Sequence, residues 1–259
     1  MADVTPYSRY ALIYDQTGQT EFVRRAWPYA ESHLRRLGWT GHRVLDLACG
    51  TGSLVPTLQA AGFRALGADL SREMLLGGLD RAAGSLLQAD FRALPLADAS
   101  LDLVTSFYDS VNYLTSLADL TSALSEVARV LRPGGYFVFD VNTRHTLSEH
   151  WQGICQTRLT DDLATIWEAH WDEATSVSSL RATFFVRGDD GRWDRFDEVH
   201  DERGFTTAEF DRAIRAAGLK IGHVEDYHAR RKPGGESRRV FYWLKRRKEI
   251  GRASCRDRV

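Results

Sequence analysis

Apolar residues in this chain come in short runs, each closed by small or acidic residues. Val44, Leu45 and Leu47 in VLDLACGTG suit a covered strand that stops in a turn carrying Gly50 and Gly52. SLVPTLQAAG reads as the helix that follows, with Ser53 as its cap and Gly62 past its end. FRALGADLS is a second strand with Asp69 near its tip, and SREMLLGGLDRAAG is a helix capped by Ser71. A third, short strand ends at Asp90, a fourth runs from Leu101 to Phe107, and a fifth is YFVFDVN. Between the last two, Leu117, Leu120, Leu124, Val127 and Val130-Leu131 recur near the helical period. Pro133 and the Gly134-Gly135 pair are expected to stop that helix. Strands alternating with helices predict a mostly parallel sheet with helices on both faces.

The pattern changes near Thr143. About 50 residues, including LATIWEAHWDE and SSLRATFFVRGDDGRWDRFDEVHDE, alternate in short or aromatic runs, which predicts antiparallel hairpins inserted after strand five. FTTAEFDRAIRAAG then reads as a capped helix ending at Gly218. LKIGHVEDY and ESRRVFYWLKRR follow as two strands, joined through Pro233-Gly-Gly235 into a hairpin at the sheet edge. The basic residues of ESRRV and LKRRK are expected on a solvated edge.

Composition narrows the classes of partner. The 259 residues hold 34 Lys plus Arg against 35 Asp plus Glu, so bulk charge points to neither nucleic acid nor a membrane. No apolar run approaches the ~20 residues needed to span a bilayer, and the first residues lack the pattern of a signal peptide. Cys49, Cys155 and Cys255 are far apart and lack CxxC spacing, which fits a reduced, cytoplasmic compartment and gives no zinc signature. The last residues, EIGRASCRDRV, resemble a translated sequencing adapter; a basic terminus outside the fold is the alternative. Truncation after Lys248 is expected to leave the fold intact.

A strand, a glycine turn and a helix make half of a nucleotide-binding unit. A dinucleotide dehydrogenase would carry a third glycine where Val55 stands, so the nicotinamide reading loses ground. Asp69, at the second strand tip, can accept both hydroxyls of a ribose lying across the sheet. Asp90 and Phe91, at the third, offer a polar side chain and a ring face to adenine. Each strand tip lies where open sheets bind ligands.

At these residues the chain resembles class I S-adenosylmethionine-dependent methyltransferases. VLDLACGTG, ALGADLS, LLQADFRALPL, LDLVTSF and EVARVLRPGGYFVFDVN look like their successive motifs, in order from Tyr7 to Lys248. The small-molecule enzymes that methylate sugar amines or glycine are similar in three further features. These are a Tyr-rich N-terminal helix, here YSRYALIYDQ, the phrase YDSVNYL after strand four, and the antiparallel insertion. The resemblance implies a Rossmann-like seven-stranded sheet and S-adenosylmethionine as cofactor. It divides the chain into an N-terminal cap (1–40), a cofactor-binding core (41–142), an insertion acting as acceptor lid (143–203), a C-terminal helix and hairpin (204–248) and the tail (249–259).

Carried onto this sequence, the resemblance sets Asp46 under the glycine loop and the backbone of Ala48, Gly50 and Gly52 along the methionyl and ribose portion. Ala48 departs from the glycine common in relatives. Asp69 takes the ribose, Met74 packs near adenine, Asp90 and Phe91 read it, and Phe107 offers backbone to the cofactor's amino group. Tyr14 closes over the sulfonium, where a phenol face attracts a cation.

Methyl displacement from a sulfonium needs alignment and dryness more than acid catalysis, and a base only if the acceptor arrives protonated. His200 in HDERGF is the candidate base, because an unperturbed imidazole titrates near neutrality. Asp109, after the fourth strand's tip, is the catalytic candidate expected to contact the acceptor beside the transferable methyl. Tyr108, Asn112 and Tyr113 are candidate walls and contacts of a small-molecule acceptor site, roofed by Trp151, Trp167 and Trp171 or with those rings in the core. Asp140 and Asn142 with Asp109 have the oxygen chemistry of a magnesium site, but not the adjacent Asp-Asn pair of magnesium-using O-methyltransferases, so no metal is expected. A nicotinamide oxidoreductase and a non-catalytic cofactor-binding subunit are the alternatives.

Overall fold

A computed structural model describes residues 6–153 and 155–247, so the 249–259 tail and the truncation point at Lys248 lie outside the described residues. Seven strands make the main sheet: β1 (Arg43–Leu47), β2 (Arg64–Asp69), β3 (Leu86–Gln88), β4 (Leu101–Ser106), β5 (Leu131–Asn142), β10 (Leu219–Asp226) and β11 (Arg239–Arg246). Their order is β10-β11-β5-β4-β1-β2-β3. The first five strands pair in parallel, while β11 runs antiparallel to both β5 and β10. The chain reverses direction in the sheet between β1 and β4, and that is where an open α/β sheet forms a crevice.

Buried side chains fill both faces of this sheet. Helices α5 (Leu117–Val130) and α6 (Thr207–Ala216) cover one, burying Leu120, Leu124, Val127, Phe210 and Ile214 against Leu45, Phe137 and Phe139. Helices α1 (Thr20–Arg36) and α2 (Val55–Ala60) cover the other, with Trp27, Leu34, Leu54 and Leu58 against Val44, Leu103 and Trp243. The insertion forms a separate antiparallel sheet of β6 (Cys155–Leu159), β7 (Leu163–Asp172), β8 (Val177–Arg187) and β9 (Trp193–Arg203). A third cluster, holding Tyr10, Ile13, Phe184 and Phe196, packs the N-terminal segment onto that sheet.

Four local expectations differ from the structure. YSRYALIYDQ is not one helix but two single 3-10 turns, Tyr10–Leu12 and Tyr14–Thr17. Its N–H groups are taken by a distant acceptor: Glu198 on β9 receives those of Tyr7, Arg9 and Tyr10 at 2.7, 2.9 and 2.9 Å. Ser53 is not a cap, because turn hydrogen bonds from Gly52 to Cys49 and from Val55 to Gly52 delay the helix to Val55. SREMLLGGLDRAAG, whose Ser71 cap does accept from the Met74 N–H, divides into α3 (Arg72–Gly77) and α4 (Leu79–Ala82). The break falls at Gly78, where a Cβ would lie 2.2 Å from the Thr51 carbonyl oxygen. Helix α5 ends at Val130, and Pro133 to Gly135 are already part of β5, which skips register between Leu131 and Tyr136. Gly134, at φ +88°, supplies the conformation that irregularity requires.

Candidate functional site

A cavity of about 750 Å³ opens at the C-terminal ends of β1, β2, β3 and β4. Tyr14, Asp46, Ala48, Gly50, Asp69, Met74, Asp90, Phe91 and Phe107 all line it, which unites nine of the ten expected cofactor residues. Gly52 is the exception. A Cβ there would sit 2.8 Å from the Leu86 side chain, so its hydrogen serves packing against β3.

Carboxylates organise the floor. Asp69 accepts the Gly50 N–H at 2.8 Å through one oxygen and the Ser71 N–H at 2.9 Å through the other, joining the glycine turn to the tip of β2. Burial raises its pKa. Asp46, 4% exposed, accepts the Thr105 hydroxyl at 2.9 Å, and burial pushes its carboxyl up to about 7. Ala48 adopts φ +56°, a conformation glycine holds more cheaply, and Gly50 adopts φ +58°. Met74 closes over the turn, so that a Cβ on Gly50 would lie 2.9 Å from its Cε. Asp90 is paired with Arg92 at 2.7 Å, which holds its carboxyl below the usual range. Its polar reach is therefore shared with that guanidinium.

A second cavity, of about 230 Å³, lies under the insertion. Tyr7, Tyr14, Tyr108 and Tyr113 line both cavities, so a collar of phenols separates and connects them. Beyond it lie Asp109, His200, Glu202, Arg239, Trp151 and Trp167. His200 is 1% exposed on β9; its Nδ1 is 3.0 Å from the Tyr113 hydroxyl and its Nε2 3.5 Å from Glu198. The Tyr113 hydroxyl is in turn 2.8 Å from that of Tyr7.

Below the collar, the residues after β4 are held in an unusual backbone state. Tyr108 and Asp109 have φ +65° and +55°, costly for side chains of their size. Asp140, fully buried on β5, offsets this by accepting both their N–H groups, at 2.8 and 3.2 Å. Arg239 from β11 donates to Asp140, to Asp109 at 2.9 Å and to the side-chain Oδ1 of Asn142 at 3.0 Å. A guanidinium therefore takes the place that the magnesium reading of Asp109, Asp140 and Asn142 assigns to a cation. It also corrects the solvated-edge reading of ESRRV for Arg239, whose side chain is only 12% exposed.

Two further expectations separate from the site. Asn112 lines neither cavity. Its amide donates to the Asn142 and Arg203 carbonyls, both at 2.9 Å, and accepts the Asn142 N–H at 3.0 Å. It pins the turn after β4 to β5 and β9, and both of its amide hydrogens go to backbone carbonyls. Trp171 is likewise outside, with its ring under the Arg144 guanidinium. Glu198, Glu202 and Arg239 escaped the sequence reading because each acts on partners far along the chain, where no local periodicity signals the contact.

A reversed strand order, a glycine turn and acidic strand tips facing one cavity define a Rossmann-like protein that binds a nucleotide-type cofactor. Residues 45–139 match the family model described as a methyltransferase domain. YqeM of Bacillus subtilis (strain 168), a methyltransferase by its assigned name, is 30% identical over 250 residues, 94% of this chain and 98% of that one. A dTDP-3-amino-3,4,6-trideoxy-alpha-D-glucopyranose N,N-dimethyltransferase of Streptomyces venezuelae is 29% identical, covering 70% of this chain and 77% of its own. The crystal structure of an S-adenosylmethionine-dependent methyltransferase from Clostridium acetobutylicum ATCC 824 superposes with TM-score 0.80 at 27% identity, covering 93% of this chain and 99% of the other. The chain belongs to the S-adenosylmethionine-dependent methyltransferases, and S-adenosylmethionine is its cofactor.

The residues present fit that cofactor. The larger cavity is within the ~300–1,000 Å³ range of small-molecule sites. Each Asp69 oxygen holds one backbone N–H and keeps lone-pair capacity for a hydroxyl. Among the described residues, no helix is long and apolar enough to cross a membrane.

Proposed function

We propose that the protein methylates a nitrogen of a small amine-bearing acceptor bound in the second cavity. The observation that carries this reading is the phenol collar, which gives the cofactor cavity a small, separate annex lined by carboxylates and aromatic rings. S-adenosylmethionine, when bound, supplies a methyl already activated on a sulfonium. Asp69 would hold the ribose, with Asp90 and Phe91 at the adenine. The aromatic rings of Tyr7, Tyr14 and Trp167 that line the annex favour an ammonium over a neutral alcohol. An amine must lose a proton before it can attack. The Tyr113 hydroxyl and His200 Nδ1 form the receiving path, with Glu198 facing Nε2 to hold the imidazolium. The relative from Streptomyces venezuelae, named for N,N-dimethylation of an amino sugar, supports nitrogen over oxygen.

The test is a methyl-transfer screen with labelled S-adenosylmethionine against amine, hydroxyl and carboxylate metabolites. Turnover confined to amines is expected. Turnover confined to hydroxyl compounds would reassign the acceptor. Cofactor binding without turnover on any class would favour a non-catalytic subunit.

A further inference from the structure

We propose that His33, His223 and Glu225 form a site for one divalent transition-metal ion, zinc by its ligand chemistry, which clamps α1 to the edge strand β10. None of the three lines either cavity, and the inference is independent of the acceptor reading. Their ligand atoms all lie within 4.8 Å of one another. Glu225 Oε2 is 3.5 Å from His33 Nε2 and 3.1 Å from His223 Nε2. Zinc bonds of ~2.0–2.2 Å in tetrahedral geometry set neighbouring ligands roughly 3.3 Å apart, so both spacings suit a shared ion.

Hydrogen bonds orient the first imidazole. His33 Nδ1 is 3.1 Å from the Tyr29 carbonyl oxygen and 3.3 Å from Ser32 Oγ, whose own proton goes to the same carbonyl at 2.8 Å. With Nδ1 donating to that carbonyl, Nε2 is turned to the side where Glu225 Oε2 and His223 Nε2 lie, in a site where His33 is 7% exposed. A shared ion would draw on all three of these atoms. The surroundings have the form that orients metal ligands: an Nδ1–H on a backbone carbonyl, and the Tyr29 hydroxyl on the second Glu225 oxygen. His223 and Glu225 are two apart on one strand, which puts them on the same face toward α1. The ring of His33 stacks with that of His223 at 5.0 Å, and Trp243 packs beside both. Two imidazoles and a carboxylate leave a fourth position for water. Thr20 and Val23 at the start of α1 line the cofactor cavity, so an ion at this clamp steadies the helix that bounds it.

The experiment is calorimetric titration of the chelator-treated full chain with zinc, repeated with His223→Ala and Glu225→Gln. His223 is partly exposed, so its removal leaves the core packing in place. One strong site is expected in the wild type, weakened at least ~10-fold in both variants. Zinc should raise the melting temperature of the wild type alone, and cobalt should give the absorption of a tetrahedral nitrogen and oxygen site. Absence of strong binding, or equal binding in the variants through other histidines, overturns the proposal.

Discussion

Replacing Arg239 with methionine tests the electrostatic design beneath the collar, because methionine keeps most of the volume and removes only the charge. Arg239 holds Asp140, which has no exposed surface, and Asp109, which is 6% exposed, while Glu202 lines the same cavity. Even with the guanidinium in place, burial pushes the Asp140 carboxyl up to about 6, and burial with the nearby Asp109 pushes Glu202 well above its usual range. Breaking a buried ion pair from one side costs about 3–5 kcal/mol, and that is the expected loss of stability at pH 8. The pH dependence has a definite sign. Asp140 titrates at 3.8 when unfolded, so between 3.8 and its raised value the native state binds more protons, and stability falls as pH rises. Without Arg239 the raised values climb further and the penalty extends upward in pH. Urea melts of Arg239→Met should therefore show a large deficit at pH 8 that shrinks by about 1–2 kcal/mol at pH 5, one shifted pKa unit being worth ~1.4 kcal/mol. A deficit independent of pH, or one below ~1 kcal/mol at pH 8, would refute the reasoning.

Other perturbations separate the remaining roles. Asp69→Ala should weaken S-adenosylmethionine binding by about 1.5–3 kcal/mol by calorimetry, since a charged hydrogen-bond partner is lost and the glycine turn is released. His200→Ala and Tyr113→Phe should each lower turnover by about 10²–10⁴-fold while sparing cofactor affinity; full activity across the pH range would leave catalysis to positioning alone. Gly78→Ala should destabilise by about 1–3 kcal/mol in thermal melts, because the Thr51 carbonyl lies 2.2 Å from the new Cβ. Gly50→Val should abolish cofactor binding, since the position combines φ +58° with close approach of Met74.

The amino-acid sequence by itself determined the alternation of strands and helices, the inserted hairpins, the terminal hairpin and the glycine turn with its acidic strand tips. Those features rest on local periodicity, on turn chemistry and on the rule that ligands bind at strand C-termini, all of which act within a few residues. The capping box of α6 illustrates this: Thr206 and Glu209 bond each other reciprocally across three positions, so their pattern is visible without a fold. What the tertiary structure decided depends on groups that meet only after folding. Asn112 looked like a substrate contact and became a structural pin, because its amide found backbone from β5 and β9. The tyrosine-rich segment gave up a helix when Glu198, nearly 190 residues away, took its N–H groups. Arg239 looked like an edge charge and became the buried counter-ion of two carboxylates 99 and 130 residues distant. Periodicity records which face of an element is covered, whereas the partner of a buried charge is set by the packing of several elements at once.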